Sequence, residues 1–149
     1  MLVRLMSKSR EIDRLDGLFR AVTDKSQSFL LTCSEAKAKA IANPREGTEH
    51  YRRLALEALC SSPNHMVDSV SCRDHFATAR DALQAGTLDD AIDALRVLRN
   101  TFLQDILKPA VREYLLSETQ RTDGIEKLYE SQLKIDRLLE AAQFIRKLR

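Results

Sequence analysis

Glycine and proline are scarce in this chain, four and three respectively in 149 residues, and tryptophan is absent. An average domain carries about 12% of Gly and Pro together. A β-sandwich or barrel turns on such residues roughly every 8–12 positions, so an all-β fold is excluded. Aromatic residues make up only 5% of the chain, and Lys plus Arg exceed Asp plus Glu by just 24 to 22. Neither a base-stacking platform nor the basic footprint of a phosphate-neutralising surface is offered. No run approaches the ~20 apolar residues that a membrane span requires. The three cysteines, Cys33, Cys60 and Cys72, are an odd number in a chain long enough to need no disulfide staples. A reducing intracellular compartment, the cytoplasm, is therefore expected. The apolar start Met1-Leu2-Val3 is interrupted at Arg4, too early for a secretory signal.

What the chain does have is leucine and alanine. They number 22 and 16, against 21 for Val, Ile and Thr combined. That bias belongs to helices. With 44% hydrophobic and 31% charged residues, the chain is expected to fold as one all-α domain over 1–149, an antiparallel bundle of about five helices.

The spacing of apolar residues outlines these helices. From residue 9 to 42, Ile12, Leu15, Phe19, Val22, Phe29, Cys33, Ala36 and Ala40 recur at alternating steps of three and four, a heptad seam in which Ser26 is the one polar member. This predicts one long helix, separable from the rest as residues 1–42. Asn43-Pro44 and Gly47 should end it. Thr48, Tyr51, Leu54, Ala55, Ala58 and Leu59 suggest a short second helix, halted at Ser61-Ser62-Pro63. A third should run from Asn64 through Met66, Val70, Phe76 and Leu83 to Gly86, a C-terminal cap. Thr87, with Asp89 and Asp90 in the first turn, opens a fourth. Pro109 falls inside its apolar pattern and should kink it or split it near Lys108. After Thr122-Asp123-Gly124, a last long helix carries Ile125, Leu128, Ile135, Leu138, Leu139, Ala142 and Ile145. Residues 77–95 resemble the middle of one tetratricopeptide unit, but no second copy lies 34 residues away. An ordinary helical hairpin is expected there.

Chemistry-bearing residues are few. Cys60, His65, Cys72 and His75 cluster in sequence, but their C-x₄-H-x₆-C-x₂-H order departs from the usual close pairs of zinc ligands. They form an alternative reading as a small metal or redox site. Asp74 beside His75 points to a different helix face from Cys72, so no nucleophile–base pair is built. Phosphate loops and nucleophile elbows are missing too. No cofactor is called for, and an enzyme is not expected. Arg52-Arg53 and the set Arg137, Arg146, Lys147 and Arg149 are too small to favour nucleic acid, which is kept as a further alternative.

Two long apolar faces remain, Ile12, Leu15, Phe19, Val22 and Phe29 near one end and Leu128, Ile135, Leu138, Ala142 and Ile145 near the other. They predict coiled-coil-like seams. Either they pack on each other within the chain, or a protein partner or second copy completes them. The expected function is a non-enzymatic interaction module, an adaptor, scaffold or assembly subunit. No motif assigns a family.

Overall fold

A computed structural model describes residues 2–60, 70–116 and 123–148, and the elements among them are all helical. Their order is α1 (Leu2–Lys25), α2 (Gln27–Ala42), α3 (Pro44–Cys60), α4 (Val70–Ala85), α5 (Leu88–Phe102), a π turn (Leu103–Leu107), α6 (Lys108–Leu116) and α7 (Asp123–Lys147). The all-α bundle expected from composition is the fold observed. Among the described residues no helix is long and apolar enough to cross a membrane. Met66 and the Ser61-Ser62-Pro63 stop lie outside the described residues.

Two helices expected as single stretches carry an interruption. The first is at Ser26, where φ is −98° and ψ is 6°. Its N–H is shared between Val22 O and Thr23 O, while Leu30 N–H still donates to Ser26 O at 2.9 Å. The hydrogen-bond ladder therefore passes through the junction although the backbone does not keep helical dihedrals. The second interruption is the π turn, one turn ahead of Pro109. A proline ring collides with the carbonyl four residues back, here Asp105, and donates no N–H. Widening that turn, with Lys108 N–H donating to Leu103 O, gives the ring room, and the chain runs on as α6. Pro109 thus sits in the first turn of α6, and the pattern is divided near Lys108 by the π turn, with no loop between.

Gly47 corrects another expectation. Asn43 alone links α2 to α3: it is extended, its Oδ1 accepts from the N–H groups of Arg45 (3.1 Å) and Glu46 (3.4 Å), and Pro44 fills the first helical position. Gly47 lies inside α3, where a Cβ would come within 2.2 Å of Ala40 Cα. The residue is small because two backbones touch there. Gly86 behaves as expected. At φ 78° it closes α4 in a Schellman turn, with Gly86 N–H on Leu83 O and Thr87 N–H on Ala82 O.

The helices enclose two apolar clusters. The main core takes Ala36 and Ala40 of α2, Tyr51 and Ala55 of α3, Ala79 and Leu83 of α4, Ile92, Leu95 and Phe102 of α5, and Ile135, Leu138 and Ile145 of α7. A smaller end core holds Leu18, Tyr114 and Ile125, from α1, α6 and the start of α7. Helix α7 passes through both. Ion pairs give its direction: Arg99–Asp136 and Arg146–Asp89 set α5 antiparallel to it, whereas Lys25–Glu126 and Lys37–Glu140 set the α1–α2 line running the same way.

Candidate functional site

The residues proposed for a partner are mostly consumed by the chain itself. Ile135, Leu138, Ala142 and Ile145 are fully buried in the main core, and Leu128 and Phe29 pack half-buried against it. Of the two readings open for these faces, packing within one chain is the arrangement found. Tyr51 shows how tightly: its hydroxyl donates to Leu138 O at 2.8 Å, and burial raises its phenol well above the usual tyrosine range, with Cys33 adding to the effect.

On α1 the buried stripe is Leu18 and Val22, with Leu15 half-buried, and not the expected Phe19. The expected seam runs unbroken through Ser26, but the backbone leaves helical dihedrals there, so the phase set by Cys33 and Ala40 of α2 does not carry over to α1. Phe19 is 47% exposed and rests edge-on against Tyr129, with ring centroids 4.8 Å apart. The side chain of Ile12 lies outside the described residues.

The side chain of Cys60 and all of His65 also lie outside the described residues. Cys72 is fully buried and His75 half-exposed, and no group of metal-ligating side chains occurs among the described residues. Cys33 is a buried free thiol whose pKa burial pushes up to about 11, which leaves it protonated and unreactive.

Two surface features remain. One is an open cleft of about 620 Å³ at the α2–α3 tip, lined by Lys39, Arg45, Glu46, Glu49, His50 and Arg53. Lys39 Nζ lies 3.5 Å from His50 Nδ1. The N–H groups opening α3 are already bound by Asn43, so they offer nothing to an anion, and the lining mixes both charges. The other is the side of α2 turned away from the core. Leu31 is 63% and Ile41 65% exposed there, with Ala38 and Ala42 also exposed between and beside them. At 100° per residue these four share one outward side of the helix. Neither Leu31 nor Ile41 belonged to the expected interaction face. Their signal was present in the sequence as apolar residues out of phase with the seam.

Several surface cations are tied to carboxylates: Lys25 to Glu126, Lys37 and Arg137 to Glu140, Arg99 to Asp136, and Arg146 to Asp89. Two acids respond in opposite ways. Hydrogen bonds from Lys37 and Arg137 hold Glu140 below the usual carboxylate range, whereas burial lifts Asp136 above it despite a hydrogen bond from Gln132 and the nearby Arg99. No family model, curated protein or solved structure matches this chain.

Proposed function

We propose that this chain is a non-catalytic helical module that works by engaging another protein, in a reducing compartment such as the cytoplasm. The observation that supports it is the outward side of α2, where Leu31 and Ile41 are left to solvent on a helix whose opposite side is buried. Each such side chain buried against a partner contributes about 1.5–3 kcal/mol, so two of them with the flanking alanines favour docking of an apolar helix face. Cys33 is buried and protonated, so it offers no exposed thiolate, which favours binding over thiol chemistry. The near balance of 24 Lys and Arg against 22 Asp and Glu weighs against a nucleic-acid surface.

The test is the double variant Leu31→Asp/Ile41→Asp. Far-UV circular dichroism should stay helical, because neither residue is in the core. Light scattering across concentration, with affinity capture on the immobilised full chain, should show loss of the assembly or partner that the wild type holds. Retention of the same assembly and partners by the folded double variant would refute this surface.

A further inference from the structure

An open pocket of about 340 Å³ lies where the N-terminal end of α2 meets the C-terminal half of α3 and the middle of α7. That is the small end of the roughly 300–1,000 Å³ range of small-molecule sites, and the space between helices of a bundle is a frequent place for them. Its inner wall is apolar: Ala58 is buried, and Phe29 and Leu54 pack half-buried against the main core.

The polar groups of the pocket are not used by the fold. Hydroxyls elsewhere in these helices turn back on their own backbone, Thr23 donating to Phe19 O at 2.8 Å, Thr32 to Ser28 O at 2.8 Å and Ser131 to Lys127 O at 3.1 Å. Ser26 does not. It is 5% exposed and lines the pocket, and among the described residues its hydroxyl bonds neither to the preceding turn nor as a cap on α2. A buried hydroxyl without a partner costs the fold free energy, which a ligand beside it would recover. Glu130 and Lys134, half-buried on the α7 wall, stand one turn apart in the order that ordinarily pairs, yet no ion pair joins them. Glu57 of α3, also on the rim, has no ion-pair partner among the described residues.

One opening thus presents an apolar wall, a hydroxyl, an ammonium and carboxylates, none of them engaged. A ligand with a single charge would crowd the rim charge of the same sign, and a purely apolar one would strip water from both kinds without answering either. A small molecule that carries both charges on one carbon, with an apolar group beside them, answers all of these groups at once. We propose that the pocket binds a free apolar α-amino acid in its zwitterionic form. Its carboxylate accepts from Lys134 Nζ and the Ser26 hydroxyl, its ammonium donates to Glu130 and Glu57, and its side chain covers Phe29, Leu54 and Ala58. A peptide does not substitute, because it carries the two charges on different residues. The site goes beyond the protein-binding side of α2. Neither Leu31 nor Ile41 lines it, so each reading can fail without the other.

The test titrates the ¹⁵N-labelled full-length chain with L-leucine and with two molecules that each lack one of its charges, isoamylamine and isocaproate. Leucine should give saturable shifts of amides around Ser26, Leu54 and Glu130, and each analogue should bind at least about tenfold more weakly for the loss of charge-assisted hydrogen bonds. Two variants cross-check the roles, with helicity followed by circular dichroism. Lys134→Gln should weaken leucine and isocaproate and leave isoamylamine unchanged, whereas Glu130→Gln should weaken leucine and isoamylamine and leave isocaproate unchanged. If one variant loses helicity, the other carries the comparison. No saturable shift with millimolar leucine would overturn the proposal. Equal affinity for all three molecules would show only apolar wetting of Phe29 and Leu54, and a variant that weakens all three alike would show a structural role; either result overturns it as well.

Discussion

The two cores of this molecule differ in how they are built. The main core gathers side chains from five helices, with Phe102, Leu95, Leu98, Ile135 and Leu138 fully buried, so removing one leaves many contacts in place around the loss. The end core rests on Leu18, Tyr114 and Ile125, with half-buried neighbours such as Leu15, Leu115 and Tyr129. Close packing is cooperative: a site surrounded on all sides cannot relax, whereas one open to solvent on part of its rim gives way locally. The contrast leads us to expect that the end core opens before the main body.

The largest effect should separate them. Phe102→Ala should cost about 3–5 kcal/mol and lower the whole unfolding transition, whereas Ile125→Ala should cost about 2 kcal/mol. In native-state hydrogen exchange, the second change should release amides of α1 and α6 while those of α4 and α5 stay protected. Equal loss of protection in all four helices after Ile125→Ala would mean that the molecule has one cooperative unit.

Gly47→Ala comes next. The added Cβ would meet Ala40 backbone at 2.2 Å, and with backbone on both sides the helices must separate, at a cost of about 3 kcal/mol in chemical denaturation. Gly17→Ala on α1 is the opposite case, since nothing lies within 4 Å of its Cβ. It should stabilise by about 0.5–1 kcal/mol through helix propensity alone. The pair sharpens the comparison, because the same substitution changes sign between the packed hairpin and α1.

Tyr51→Phe should be smaller, about 1 kcal/mol, for the loss of the buried hydrogen bond to Leu138 O. It should also leave that carbonyl with its helical partner only, so helicity is unchanged. The smallest effects are in pH dependence. Glu140 is held low in the folded state, so its contribution is present above the unfolded carboxylate pKa near 4.5 and fades as pH falls through its depressed folded value. Asp136 is raised when folded, so the folded state gains from its protonation and loses that gain as pH rises through its folded value. Glu140→Gln should therefore flatten the loss of stability on acidification, and Asp136→Asn should remove a small opposing gain. Glu140 is half-exposed and Asp136 nearly so, and each effect should stay at about 0.5 kcal/mol or less in thermal melts at pH 3–7.

The helix ends at Asn43-Pro44 and Gly86-Thr87 were legible because they depend on backbone chemistry near in sequence. Gly86 supplies a positive φ that other residues resist, and Asn43-Pro44 combines a side-chain acceptor with a residue suited to the first helical position. Gly47 was misread for the same reason that Gly86 was read correctly. Glycine signals either a turn or a close approach, and only the partner backbone of Ala40 tells which. Pro109 signalled a disturbance, but its form, a π turn one turn earlier, depended on how α5 and α6 both keep contact with α7. Leu18 lay outside the expected seam because that seam runs unbroken through Ser26, where the backbone leaves helical dihedrals.

Composition and periodicity by themselves determined that the chain is helical, where several of its helices begin and end, and which side chains seek burial. Those are consequences of propensity, capping and the 3.6-residue turn, all of which act within a few residues. Tertiary structure alone decided what those side chains are buried against. Hydrophobic attraction has no direction, so a stripe that suits a partner suits another helix of the same chain equally well. The contact of Gly47 with Ala40, the enclosure of Leu138 beneath Tyr51, and the slender seat of α1 are products of how the helices meet.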